Sequence, residues 1–349
     1  MFKKSFFLVI FVLVRGIGSA EDLSSLSIYA NSNSKKILIQ LMLTDPLGRK
    51  GGCKLFPTKI CYDEIFRNGG GYGTDRLGDE ENLTQTNNES IEIFYRDVIS
   101  GTHTITIESL DSTVFFYEVR GFKTDLSLMN SIFYNGYISS NTSQIYNIYL
   151  DPTPGAPPPV LTKVVTFQTL KEDIEVAYKL NQIGDEKFKD SLIRMLNIAE
   201  KYYNKCQVLN NKSNDKKDID KRKLCYRPVV ATVRMIMKRL EVINNLCDNK
   251  TECKAKCKVK PECDEYEVFK GFDNKYRKDA EFKDFFSEWD KDEYHKHKKT
   301  CKRYITDEAL EIITTDINWL IKSFGEEVWN DYKKEHNPYI PDKYKSFFK

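Results

Sequence analysis

Five prolines fall within nine residues in the segment Asp151-Pro-Thr-Pro-Gly-Ala-Pro-Pro-Pro159. Proline fixes φ and lacks an amide donor, so neither a helix nor a central strand can run through it. The segment is expected as a stiff, extended spacer. The chain reads differently on its two sides.

Before the prolines, apolar residues recur at every second position. Ile37, Ile39 and Leu41 alternate with Leu38, Gln40 and Met42, and Ile91, Ile93 and Tyr95 with Glu92, Phe94 and Arg96. Residues 103–108, 114–119, 132–138 and 144–150 form similar runs between turn residues such as Ser100-Gly101 and Asn141-Thr-Ser143. Such runs predict an antiparallel sheet arranged as a β-sandwich. The stretch from about Gly48 to Asn88, rich in Gly, Asn and charge, reads as a long loop.

After the prolines, the period is helical. Thr169-x-x-Glu172 reads as a capping box opening a segment with Leu170, Ile174 and Ala177. Gly184 breaks it, and Asp185 can cap a second helix with Phe188, Leu192, Met195, Ala199, Tyr202 and Cys206 on one face. A charged loop over 210–223 leads to Pro228 at a helix start, followed by Val229, Val233, Ile236, Leu240, Ile243 and Cys247. Thr306-Asp-Glu308 leads into Leu310, Ile313, Ile317, Leu320 and Phe324, stopped by Gly325. Four such helices predict a bundle.

The first twenty residues have the order of a signal peptide. Lys3 and Lys4 precede an apolar run over 6–14, and Gly18-Ser19-Ala20 supplies a cleavage site. The run is too short for a spanning helix, and Arg15 discourages insertion. Residues 342–349 are too charged for the tail of a GPI signal. The expectation is a secreted or extracellular protein, delivered by the secretory pathway, with no membrane span. Asn-x-Ser/Thr triplets at Asn82, Asn88, Asn141, Asn211 and Asn249 are then candidate glycosylation sites.

Nine cysteines are split unevenly: Cys53 and Cys61 early, then Cys206, Cys225, Cys247, Cys253, Cys257, Cys263 and Cys301. All nine are disulfide candidates in an oxidising compartment. Cys53 and Cys61 are close enough to staple one loop. Cys206 and Cys247 end helices and Cys225 begins one, so bridges between helix ends are expected, each contributing about 2–4 kcal/mol. Zinc is the alternative for Cys247, Cys253, Cys257 and Cys263, but only Cys253 and Cys257 approach zinc-ligand spacing. The odd count leaves one thiol free or intermolecular, which admits a covalent dimer.

Familiar catalytic signatures are absent. His103, His295, His297 and His336 are the only histidines, and none sits in a nucleophile motif. His295-Lys-His297 with Cys301 can be drawn as a metal site, but the spacing suits a strand and the surrounding stretch reads as an exposed basic segment. Gly69 to Gly73 lacks the Gly-Lys-Ser/Thr ending of a phosphate cradle and reads as a flexible loop. Asp75, Asp79, Glu80 and Glu81 offer oxygen ligands for calcium, yet without an EF-hand pattern they read as a solvated acidic loop. No cofactor is implied.

Charge divides with the period. Residues 21–150 hold 11 Lys/Arg against 16 Asp/Glu, and residues 160–349 hold 40 against 34. Neither half has the basicity of a nucleic-acid binder. Lys216, Lys217, Lys221, Arg222 and Lys223, with Lys298 and Lys299, are candidate anion-binding residues for sulfated glycans, sialylated surfaces or anionic lipid. A plain solvated face is the competing reading.

The usage of Lys, Asn, Tyr and Ile, with a short leader and a Cys-rich helical half, resembles secreted surface antigens of apicomplexan blood parasites, the piroplasms and malaria parasites. Cys263-x-x-Tyr266, Trp289 and the lysine-rich segment after it resemble, more distantly, Duffy-binding-like adhesion domains. Those domains are longer, carry more cysteines and have paired tryptophans missing here, so no functional residue carries over.

The sequence therefore predicts a multidomain α+β protein: a signal peptide over 1–20, an antiparallel β-sandwich over 21–150, a Pro-rich linker over 151–160 and a disulfide-bonded α-helical bundle over 161–349. The expected function is non-enzymatic binding or adhesion to a protein or glycan at a host or parasite surface, through the Cys-rich module. A secreted cysteine-dependent enzyme or redox protein, and a structural coat or matrix component, are the alternatives.

Overall fold

The computed structural model describes residues 24–32, 39–55, 57–66, 70–76, 89–210, 219–246 and 303–336. The expected leader lies outside them. Among the described residues the protein is α+β, with two antiparallel sheets and five helices.

One sheet has the order β5-β6-β1-β8-β9, built from β1 (Ser25–Ser32), β5 (Gly71–Arg76), β6 (Glu89–Arg96), β8 (Thr113–Phe122) and β9 (Leu128–Ile138). The other has the order β11-β10-β7-β2-β3-β4, from β2 (Ile39–Thr44), β3 (Lys50–Lys54), β4 (Ile60–Asp63), β7 (Gly101–Ser109), β10 (Thr142–Leu150) and β11 (Val160–Lys163). Burial alternates along β1, so Leu26, Ile28 and Ala30 enter the core while Ser27 and Tyr29 do not. The same period buries Ile39, Leu41 and Leu43 on β2 and Ile105 and Ile107 on β7.

The stretch expected as one loop between Gly48 and Asn88 contains β3, β4 and β5. Gly71, Tyr72 and Gly73 pair with Phe94, Ile93 and Glu92. Glycine contributes backbone hydrogen bonds but no apolar period, so this strand carries no side-chain signal. Gly52 on β3 has φ +95°, and a Cβ there would come within 2.4 Å of the Leu41 carbonyl oxygen; only glycine fits.

The proline segment closes a hairpin where an extended spacer was expected. Residues 151–159 join β10 to β11, and Tyr149 faces Val160 across the pair. The loop turns at Thr153, whose amide is held by Asp151 Oδ1 at 3.0 Å, and Lys123 Nζ donates to the Ala156 carbonyl at 2.8 Å. Proline disfavours the interior of a ladder but is suited to a turn.

The helices are α1 (Phe167–Lys179), α2 (Glu186–Asn210), α3 (Ile219–Leu246), α4 (Asp307–Ser323) and α5 (Glu326–His336). The expected apolar faces are buried: Leu170, Ile174 and Ala177 on α1, Phe188, Leu192 and Ala199 on α2, Val233, Ile236 and Leu240 on α3, Ile313, Ile317 and Leu320 on α4. The capping box of α1 lies one turn earlier than expected. Thr166 Oγ1 accepts the Thr169 amide at 3.1 Å and Thr169 Oγ1 accepts the Thr166 amide at 2.9 Å, because starting there buries Phe167. Asp185 Oδ1 accepts the Lys187 amide at 3.0 Å, as expected for the start of α2. Pro228 lies inside α3 instead of opening it; a proline there forfeits one helical hydrogen bond, offset by the burial of its neighbours Tyr226, Val229 and Val230. One contiguous core runs from both sheets into all five helices.

Candidate functional site

Three charged side chains meet where the sheets contact the helices. Lys163 ends β11 at an inward position, opposite Tyr146. Asp173 lies on the buried stripe of α1 beside Ile174, and Asp316 on that of α4 beside Ile317. Lys163 Nζ is 2.6 Å from Asp316 Oδ2 and 3.2 Å from Asp173 Oδ2. All three side chains are 1% exposed or less.

Uncharged partners enclose them. Tyr134 on β9 donates to Asp316 Oδ1 at 2.8 Å. Gln144 on β10 donates through Nε2 to Asp173 Oδ1 at 3.2 Å and accepts from Tyr146 at 2.6 Å. The Tyr134 ring lies 5.2 Å from Trp319 and 5.4 Å from Tyr146, centroid to centroid, and Lys163 Nζ stands 6.0 Å above it. Beside the cluster, Tyr137 donates to Gln182 Oε1, and Gln182 Nε2 donates to Glu308 at 2.6 Å.

Two carboxylates against one ammonium leave an uncompensated negative charge, which a dry interior opposes. Burial pushes the Asp173 carboxyl well above the carboxylate range; Lys163 pulls it down and Asp316 pushes it up. Burial lowers the Lys163 ammonium, but the two aspartates outweigh burial and hold it above its ordinary value. Burial also pushes the Tyr146 and Tyr137 phenols far up, so both stay protonated. The cluster therefore favours the protonated form of Asp173 beside a charged Lys163. It is enclosed, so its chemistry is directed inward at its own members.

The sequence alone singles out none of Lys163, Asp173 and Asp316. The available signal was a polar residue on an apolar stripe: Asp173 within Leu170, Ile174 and Ala177, and Asp316 within Ile313, Ile317 and Leu320. Lys163, on a four-residue strand after the prolines, gave none.

A second polar cluster sits at the β2–β3 turn. Asp45 accepts the amides of Leu47 and Arg49 at 2.9 Å and pairs with Arg49 Nε at 2.6 Å. Near it His103 is fully buried, its Nδ1 3.3 Å from the Gly101 carbonyl oxygen and its Nε2 without a partner among the described residues. Burial lowers His103 to about 4, against a smaller upward pull from the Gly101 carbonyl and Asp45.

Two disulfides form among the described residues. Cys53–Cys61 joins β3 to β4 at a directly paired position. Cys206–Cys225 ties the last turns of α2 to the first turns of α3. Cys247, Cys253, Cys257, Cys263 and Cys301 lie outside the described residues. So do Asn82, Asn88, Asn211, Asn249, Lys216, Lys217, Lys298, Lys299, His295, His297, Asp79, Glu80 and Glu81. Lys221, Arg222 and Lys223 fall in the opening turns of α3, Asp75 falls on β5 and His336 ends α5. Asn141 is exposed in the β9–β10 turn, at φ +58°. Among the described residues no group of three His, Cys, Asp or Glu is arranged to hold a metal ion, and no helix is long and apolar enough to cross a membrane.

Comparison with protein-family models, with curated proteins and with solved structures found no match to this chain.

Proposed function

We propose that this is a secreted, non-enzymatic binding protein that recognises a protein or glycan partner at a host or parasite surface, of the kind exported by blood parasites. On this reading the two sheets are a β-sandwich and the helices a disulfide-tied bundle that carries the recognition surface. The observation that supports it most is the Cys206–Cys225 bridge, which pins α2 to α3 across a separation of 19 residues. A covalent brace on a helical pair holds a binding surface in shape where proteolysis and dilution act on it, and disulfides are characteristic of exported chains. The enclosed charge cluster, remote from solvent, offers nothing to an external substrate.

The test is binding of the purified, oxidised full chain to host cells and to glycan arrays, with saturation measured. Saturable binding, weakened after reduction, is the expected result. Absence of saturable binding to either target, or ordered self-association alone, would overturn the proposal in favour of a coat or matrix role.

A further inference from the structure

Lysine, two carboxyl groups and an aromatic enclosure, all buried, form an arrangement with its own chemistry. Amine and carboxylic acid do not condense in bulk water, because both are charged at neutral pH and water competes. At Lys163 burial removes the competing water, and Asp316, in contact with the ammonium, is placed to take its proton. The groups are held in contact, where effective molarities reach about 10⁵–10⁸ M, and the site excludes solvent.

We infer that Lys163 and Asp173 condense into an intramolecular amide between Nζ and Cγ, with Asp316 moving the protons and one water expelled.

The parts match the requirements of acyl transfer. Asp316 Oδ2, at 2.6 Å from Nζ, is placed to take a proton from the ammonium. The freed amine lies 3.2 Å from Asp173 Oδ2, within reach of Cγ. Burial pushes the Asp173 carboxyl up, toward the protonated form that an electrophile needs. Gln144 Nε2, at 3.2 Å from Asp173 Oδ1, donates to the oxygen on which negative charge develops. Lys163 Nζ touches both Asp316 Oδ2 and Asp173 Oδ2, so the proton that Asp316 takes from nitrogen can be returned to the departing Asp173 hydroxyl across the same contact. Tyr134 holds Asp316 in place from its other oxygen.

The step balances without a co-reactant. The Nζ–Cγ bond forms and the Cγ–Oδ2 bond breaks. Nitrogen gives up two protons: one leaves in the water and the other remains on Asp316. An ammonium, a carboxylate and a carboxylic acid become a neutral amide, a neutral acid and water. The product buries no charge, and the cost of holding an ion pair in a dry interior favours it. The amide ties β11 to α1 at the point where the sheets meet the helices.

Mass spectrometry decides. The purified full chain, after reduction and removal of any glycan, should weigh one water less than its processed sequence. Under denaturing conditions trypsin should fail to cut after Lys163, and fragment ions should join Lys163 to Asp173. Asp316→Asn, which keeps nucleophile and electrophile but removes the proton carrier, should restore the full mass and the cut. The wild-type measurement stands even if that variant folds poorly. A wild-type chain of full mass, a normal cut after Lys163, or a bridge from Lys163 to Asp316 instead of Asp173 each overturns the inference.

Discussion

Tyr134 on β9 donates a hydrogen bond to Asp316 on α4 at 2.8 Å, across 182 residues of sequence. Both groups are fully buried, and the acceptor already carries Lys163. Tyr134→Phe keeps the ring packing against Trp319 and removes only the hydroxyl. Removing it leaves the buried Asp316 oxygen without that donor, which costs about 1–3 kcal/mol, so the variant should lose about 2 kcal/mol. Chemical unfolding of the two proteins side by side measures this, and an unchanged midpoint would contradict it.

The same pair marks the boundary between what was and was not legible in the sequence. The helix faces on α1 to α4 were legible, because Leu170, Ile174 and Ala177 or Ile313, Ile317 and Leu320 announce a buried stripe by spacing alone. Strand β5 was not, because Gly71 and Gly73 pair through main chain only. Nor was β1, a run of alternating Ser, Leu, Ile and Ala too short in apolar residues to stand out. Strand β11 was hidden behind prolines that turn the chain back and do not carry it away. The site was the least legible part: Lys163, Asp173 and Asp316 are ordinary charged residues until three distant segments fold together. Cys53 and Cys61 were legible as one staple from their closeness alone, whereas the pairing of Cys206 with Cys225 required the folded α2–α3 pair.

His103 makes stability depend on pH on the acid side. Its folded value of about 4 lies below the ordinary 6.5, so the unfolded chain binds the extra proton over that window. Stability is then complete above about 6.5 and declines as pH falls toward 4. The shift corresponds to about 3 kcal/mol. His103→Phe retains a ring beside Tyr95, 5.9 Å away by centroid in the wild type, and cannot take up a proton. Unfolding free energies measured between pH 7 and 4 should fall less steeply in the variant; parallel curves would rule His103 out as the source.

The two disulfides should contribute unequally. Cys206–Cys225 closes the longer loop, with a separation of 19 residues against 8 for Cys53–Cys61. Loop-closure entropy gives about 3 kcal/mol for the first and about 2.5 for the second. The first also fastens two helices joined otherwise through side chains, as between Gln207 and Tyr226, whereas strands β3 and β4 are already paired through main chain. Replacing Cys206 and Cys225 together by Ser should therefore lower the Tm more than the same change at Cys53 and Cys61. The reverse order in calorimetry would show that the hairpin bridge carries more of the fold.

Asn141 is the one Asn-x-Ser/Thr acceptor within the described residues, and its setting suits modification. It is exposed, at φ +58° in the β9–β10 turn, and its amide is already held by the Ser109 carbonyl oxygen at 2.8 Å. The chain at this residue is thus held through its main chain, and asparagine tolerates the left-handed region better than most residues. Expression in a glycosylating secretory host should add a glycan at Asn141 without lowering the Tm, detected as a peptide that after enzymatic release differs from the unmodified one only by the conversion of Asn to Asp. Asn141→Gln should abolish the modification and cost less than about 1 kcal/mol, the strain of placing a less suitable residue at positive φ. An unmodified Asn141 peptide from such a host, alongside glycosylated peptides from other acceptors of the same chain, would show that the turn is closed to the transferase in the cell.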